Sequence, residues 1–166
     1  IENRELVLPV AYIDIDSVLL KYDFAKEKNE VLLKKQETSR LHLQQKLKEF
    51  EEDYIDFQKK LENNVYATRE RAEQENNRLA KKQLELQNLE VKLSEDLYKE
   101  QEIINRQLKD SVDIAIATFN QGKQFHIIFS NTMGDNILYS QPEYNITKDI
   151  LKILNKRYQE KKKGKK

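Results

Sequence analysis

From Ser17 to Phe119 the chain contains neither proline nor glycine. Proline lacks an amide hydrogen and collides with the preceding turn, and glycine gives up the most backbone freedom, so both tend to end helices. A run of roughly a hundred residues without either points to long α-helix. The apolar residues agree. Leu43, Leu47, Phe50, Tyr54, Phe57, Leu61 and Val65 recur at steps of three and four, the spacing of a coiled-coil seam. Leu79, Leu86 and Leu93, then Leu97, Ile104, Leu108 and Val112, resume the rhythm farther on. Between the seams, residues 66–75 are charged and poor in large apolar side chains, bracketed by Asn63, Asn64, Asn76 and Asn77. A single straight helix would reach about 150 Å at 1.5 Å per residue. A fold near residues 65–77 halves that length and lets each seam cover the other. The predicted antiparallel hairpin pairs Leu61 with Leu79, Tyr54 with Leu86, Leu47 with Leu93, Leu43 with Leu97 and Gln36 with Ile104. It sets Arg40 opposite Glu100.

The flanks read differently. Residues 10–15 are β-branched and aromatic, with Ala11, Ile13 and Ile15 on one face, and predict a strand; Asp16 and Ser17 supply helix-capping oxygens. Residues 124–130 predict a second strand, and residues 131–136 a turn in which Gly134 and Asn136 suit positive φ. Residues 137–139 then predict a third strand, closing a β-hairpin that Pro142 ends. Thr147 is expected to cap a helix to about Tyr158, with Ile150, Leu151, Ile153 and Leu154 as its buried stripe.

The reading is therefore a mostly α chain with a small β part, a helical hairpin protruding from a small α/β head. Residues 1–24 and 112–158 form the head, 25–111 the arm, and 159–166 a disordered basic tail. A three-stranded head is marginal alone and leaves open edges. Oligomerisation through Ala11, Ile13, Ile15, Phe125, Ile127, Phe129, Ile137 and Tyr139 would cover them.

Composition narrows the function. Of the residues 36% are charged, yet 30 basic against 29 acidic side chains leave a net charge of +1. Five lysines lie in the last six residues, so the body is mildly acidic, unlike a nucleic-acid binder. There is no cysteine, hence no disulfide and no thiolate metal site. The longest apolar run, at residues 114–117, falls far short of the roughly 20 needed to span a bilayer. The sequence begins with Ile1 rather than Met, as expected of a chain whose secretory signal has been removed, with or without a lipid anchor upstream.

Little in the sequence suggests catalysis. His42 and His126 have no metal-ligand or catalytic partner at useful spacing; His42 reads as solvated and His126 as a half-buried strand residue. Asp14 and Asp16 read as strand-end and cap residues rather than an acid–base pair. There is no glycine-rich phosphate loop, and no cofactor or metal is expected. The sequon Asn145-Ile146-Thr147 is sufficiently explained by Thr147 as a helix cap.

Residues 10–19 (VAYIDIDSVL), Phe129-Ser130-Asn131, residues 136–139 (NILY) and residues 144–151 (YNITKDIL) carry a likeness to a known family. They resemble the opening and closing segments of OmpH-like proteins, the Skp family, in their Bacteroidetes-type form. The likeness spans about residues 8–158, with the middle matching as coiled coil. It implies a non-enzymatic periplasmic holdase chaperone, a homotrimer whose strands form a joint β-barrel and whose arms enclose unfolded outer-membrane proteins. The arm departs from the strongly basic Skp pattern, since residues 25–110 hold 18 basic and 19 acidic side chains. On this reading Phe50, Tyr54 and Phe57 belong to the coiled-coil core. Client contact falls to the opposite face and to Val65, Tyr66 and Ala67 near the tip. The lysines of Lys161–Lys166 could touch anionic lipid, although a solvated tail is the default reading. The competing class is a structural or tethering coiled-coil oligomer without chaperone activity. A prefoldin-like topology is disfavoured, because here the strands lie outside both helices.

Overall fold

The computed structural model describes residues 8–133 and 136–164. In chain order they form β1 (Val10–Asp14), α1 (Ile15–Lys21), α2 (Asp23–Glu62), α3 (Arg69–Phe119), β2 (Ile127–Asn131), a 3-10 turn (Pro142–Tyr144) and α4 (Thr147–Lys163). The chain divides into two compact units: Ile1–Glu30 with Ile103–Lys166, here the head, and Val31–Glu102, the arm.

In the head, β1 and β2 pair in parallel, Val10 opposite Ile127 and Asp14 opposite Asn131. Parallel strands need a long crossover, and the helical stretch between them is one. The expected β-hairpin does not form. The Asn131 side chain takes over the turn: its Oδ1 accepts from the amides of Asn136 (3.2 Å) and Ile137 (3.1 Å), and its Nδ2 donates to the Ile137 carbonyl. Residues 137–139 are consequently not a strand. Met133, not Asn136, takes the positive φ of this turn, at 51°; Gly134 lies outside the described residues.

β1 alternates as its sequence requires, with Ala11 and Ile13 buried and their neighbours half-buried. It ends one residue earlier than expected, and Ile15 already belongs to α1. The cap of α1 is Asp14 rather than Asp16 or Ser17: its carboxylate accepts from the Ser17 amide (3.2 Å) and the Ser17 hydroxyl (2.8 Å). The long helix is also interrupted at Tyr22, whose backbone is extended with ψ 119°. No glycine or proline is needed there because two other features hold the break. The Tyr22 ring is packed against Phe24 and Tyr158, at centroid distances of 5.7 and 6.1 Å. Asn155 of α4 serves both helix ends, its Oδ1 accepting from the Asp23 amide (2.8 Å) and its Nδ2 donating to the Lys21 carbonyl (3.2 Å).

Thr147 does not cap α4; it is the first helical residue, and Asn145 Oδ1 accepts from its amide. The buried Thr147 hydroxyl instead accepts from the Asp14 amide (2.9 Å), tying α4 to the end of β1. Ile150, Leu151 and Leu154 are buried from α4 as expected, with Ile153 half-buried, and pack with Ala11, Ile13 and Val18. The helix continues through Gln159 to Lys163, where the sequence suggested a tail.

In the arm, α2 and α3 are joined by a short turn over residues 63–68, with Asn64 at φ 51°. The turn is tighter and earlier than the expected 65–77, and the register shifts with it by about one helical turn. Asp53 accepts from Lys82 (2.7 Å) and Arg78 (3.2 Å), whereas the predicted register set its neighbour Tyr54 against Leu86. Glu100 pairs with Lys35, not Arg40, and Arg40 pairs with Glu37 on its own helix (2.7 Å). The α3 seam holds, with Leu79 and Leu86 buried and Leu93 and Leu97 half-buried. On α2, Phe57 is buried and Leu43 and Phe50 are half-buried, but Leu47, Tyr54, Leu61 and Val65 are exposed. Lys46 and Asp53 are half-buried among the seam residues instead.

Candidate functional site

The physics of a two-helix arm sets what it can offer. Two helices cannot enclose a wide core, so apolar residues off their shared face stay wet. Among the described residues of the arm only Phe57, Leu79 and Leu86 are buried. Ion pairs supplement this thin core. Asp53 is held below the usual carboxylate range, first by its hydrogen bonds to Lys82 and Arg78. At the tip, the three residues expected to meet a client separate. The Tyr66 ring lies 5.9 Å from that of Phe57 and closes the end of the seam. Val65 and Ala67 are exposed. Along α3, Leu84, Val91 and Tyr98 are exposed at steps of seven residues. Their heptad spacing, off the seam, was available in the sequence as a signal.

The head presents two concave features. The first, about 960 Å³, is mostly apolar and lined by Val10, Tyr12, Phe129, Ile137, Tyr139 and Tyr144. Beside it Leu138 and Tyr139 are 93% and 87% exposed. Of the residues expected to meet a second subunit, Ile127, Phe129 and Tyr139 are exposed and Ile137 is half-buried. Ala11 and Ile13 are consumed by the chain's own core, and Ile15 and Phe125 pack against it. Leu138, which the sequence reading passed over, is the most exposed of the large apolar residues described.

The second concavity, about 880 Å³, is lined by Tyr22, Phe24, Lys28, Asp110, Arg157 and Tyr158, among others. Glu27 braces its rim, accepting from the Tyr158 hydroxyl (2.7 Å) and the Lys162 ammonium (2.6 Å). These bonds, Lys162's first, hold the Glu27 carboxyl below its ordinary range. Burial foremost, then the bond to Glu27, pushes the Tyr158 hydroxyl up to about 12. Lys161, Lys162 and Lys163 belong to the last turn of α4, where cations suit the helix dipole.

His126 is exposed rather than half-buried, and its amide donates to the Pro9 carbonyl (2.7 Å). His42 is exposed on α2. Among the described residues no group of three or more His, Cys, Asp or Glu gathers as a metal site would, and no helix is long and apolar enough to cross a membrane.

Comparison with known proteins places this architecture. The fold is shared with an OmpH-like protein of Caulobacter crescentus CB15, described as a candidate outer membrane chaperone. The two superpose with a TM-score of 0.79 over 91% of this chain and 86% of that one, at 11% sequence identity. No curated relative matches the sequence. The family model for outer membrane protein (OmpH-like) matches residues 9–154, from the start of β1 to the buried Leu154 of α4. The chain belongs to the OmpH-like family.

Proposed function

We propose that the chain is a non-enzymatic periplasmic holdase that assembles through its head as a homotrimer and retains unfolded outer-membrane proteins on its arms. The observation that carries this reading is the arm's economy. Three buried apolar side chains hold it together, while Leu47, Tyr54, Leu61, Leu84, Val91 and Tyr98 remain exposed along it. Such scattered apolar residues give many weak, reversible contacts, and several arms acting on one client multiply them by effective concentration. Assembly is supported by the open edge of β2 and by Leu138 and Tyr139, apolar residues that the chain itself leaves uncovered. A client-contact role at the tip falls to Val65 and Ala67, with Tyr66 supporting the turn. The lysines at the end of α4 are a peripheral contact for anionic lipid.

The test is light-scattering mass with and without a urea-unfolded outer-membrane β-barrel protein diluted into the sample. Three 19.8 kDa chains that shift to a discrete complex with one client support the holdase. A monomer, or a trimer that lets the client aggregate, leaves a structural coiled coil.

A further inference from the structure

We infer that the client is gripped along one uncharged stripe of α3, and that the stripe is suited to an extended polypeptide rather than to a helix; this rests on the holdase reading. Ala80, Leu84, Gln87, Val91, Ser94 and Tyr98 follow one another at steps of four and three, so they share one face of the helix. All six are exposed, Leu84, Val91 and Tyr98 at 56%, 57% and 65%. None is charged, in a chain where charged residues make up 36%. The stripe runs about 27 Å, the rise between Ala80 and Tyr98 at about 1.5 Å per residue. It faces away from the seam residues Leu79, Leu86 and Leu93, so the partner helix of the arm does not cover it.

Two features choose the occupant. Apolar anchors occupy one position of each heptad, while the alternate position holds Ala80, Gln87 and Ser94. A docked helix needs both positions apolar, and its own backbone groups are already satisfied. It would bury the Gln87 amide and Ser94 hydroxyl without partners, at the cost of their desolvation. An extended chain is the converse case. Its N–H and C=O groups are unpaired, and amide and hydroxyl side chains both donate and accept. Its apolar side chains meet Leu84, Val91 and Tyr98 between those bonds. No residue of the stripe is itself charged, and the Glu102 carboxylate reaches it at one end, accepting from the Tyr98 hydroxyl (3.1 Å). Segments of mixed apolar and uncharged polar residues therefore fit, and steering by net charge is a minor part.

The test replaces Leu84, Val91 and Tyr98 together by Glu, which favours helix and suits exposed positions. The control is Leu33→Glu, Leu41→Glu and Ile55→Glu, three equally exposed residues of α2 that add the same charge. The probe is a fluorescent, urea-unfolded outer-membrane β-barrel protein, with helicity and mass of each variant checked first. The α3 variant is expected to lose affinity at least about tenfold and the α2 variant less than about threefold. Wild-type retention should change little between about 0.05 and 0.5 M NaCl. Equal losses in both variants, none in the α3 variant, or retention that collapses with salt overturns the stripe while leaving the holdase intact. A mass that drops in the α3 variant without client makes the stripe a contact between copies and overturns it too. A wild-type chain that retains no client removes the holdase reading and the stripe with it.

Discussion

The head is fastened by a few polar side chains, and their loss should be felt individually. Asp14 ends β1, caps α1 and passes its amide to Thr147. Asp14→Ala is expected to cost about 1 kcal/mol, the usual value of an N-cap, while Asp14→Asn costs less. Thr147→Val should cost more, about 1–3 kcal/mol, because it strands a part-buried amide, and Thr147→Ser should restore most of it. Thermal denaturation of the four variants checks both expectations. Tyr158 provides a pH signature. Its folded-state value of about 12 lies above the ordinary 10.0, so the stability linked to it is complete below pH 10 and is lost as pH rises toward 12. Melting curves at rising alkaline pH should show that decline, shallower in Tyr158→Phe. At this scale the sequence was a partial guide. It offered Asp16 and Ser17 as the cap of the first helix and Thr147 as the cap of the last. Instead Asp14 caps the one, and the Thr147 hydroxyl accepts from the Asp14 amide, a pairing across 133 positions that no local pattern states.

The elements differ in how far their sequence decides them. The stretch without proline or glycine is helical apart from the break at Tyr22 and the turn at 63–68. Along the α3 seam Leu79, Leu86 and Ile104 are buried, while Leu93, Leu97, Leu108 and Val112 are half-buried. The register of α2 against α3 was misread by about a turn, since heptad seams repeat every seven residues and several alignments satisfy them nearly equally. The turn decides between them: with Asn64 at positive φ, six residues suffice to reverse the chain. Zero-length carbodiimide cross-linking followed by peptide mapping should therefore join Asp53 to Lys82 and Glu100 to Lys35. Links expected of the other register, such as Glu49 to Lys92, should be absent. Phe57→Ala removes the one buried α2 residue of the arm and should cost about 3 kcal/mol, read as faster amide exchange near residues 50–60 with the head unaffected. The break at Tyr22 left no local trace, because it is held by Asn155 and Tyr158 of α4 rather than by a helix-breaking residue.

For the whole molecule, the issue is what covers the surfaces that one chain leaves open. Residues 137–139 read as a strand from composition, and in the single chain Leu138 and Tyr139 are uncovered while Ile137 is half-buried. A strand needs a partner, and Asn131 diverts the nearest one by closing the turn with its side chain. If a second subunit supplies the partner, Leu138→Asp with Tyr139→Asp should reduce the mass in solution to that of a monomer while helicity persists. An unchanged mass would place the assembly surface elsewhere. Client retention should fall with the assembly, since separate arms lose the effective concentration that joint binding gives.

The sequence by itself determined the long helices, their reversal by a turn, the alternation of β1 and the stripe of α4 that fills the head. Each is a local period, legible because the side chains that create it lie within a few turns of one another. Only the tertiary structure decided the parallel pairing of β1 with β2, the register of the arm and the break at Tyr22. It alone also separated the apolar residues into those the chain buries, such as Ala11 and Ile13, and those it leaves exposed, such as Leu138, Leu84 and Val91. That division depends on contacts between residues far apart in the chain, and a periodic pattern states that a face is apolar without naming what lies against it.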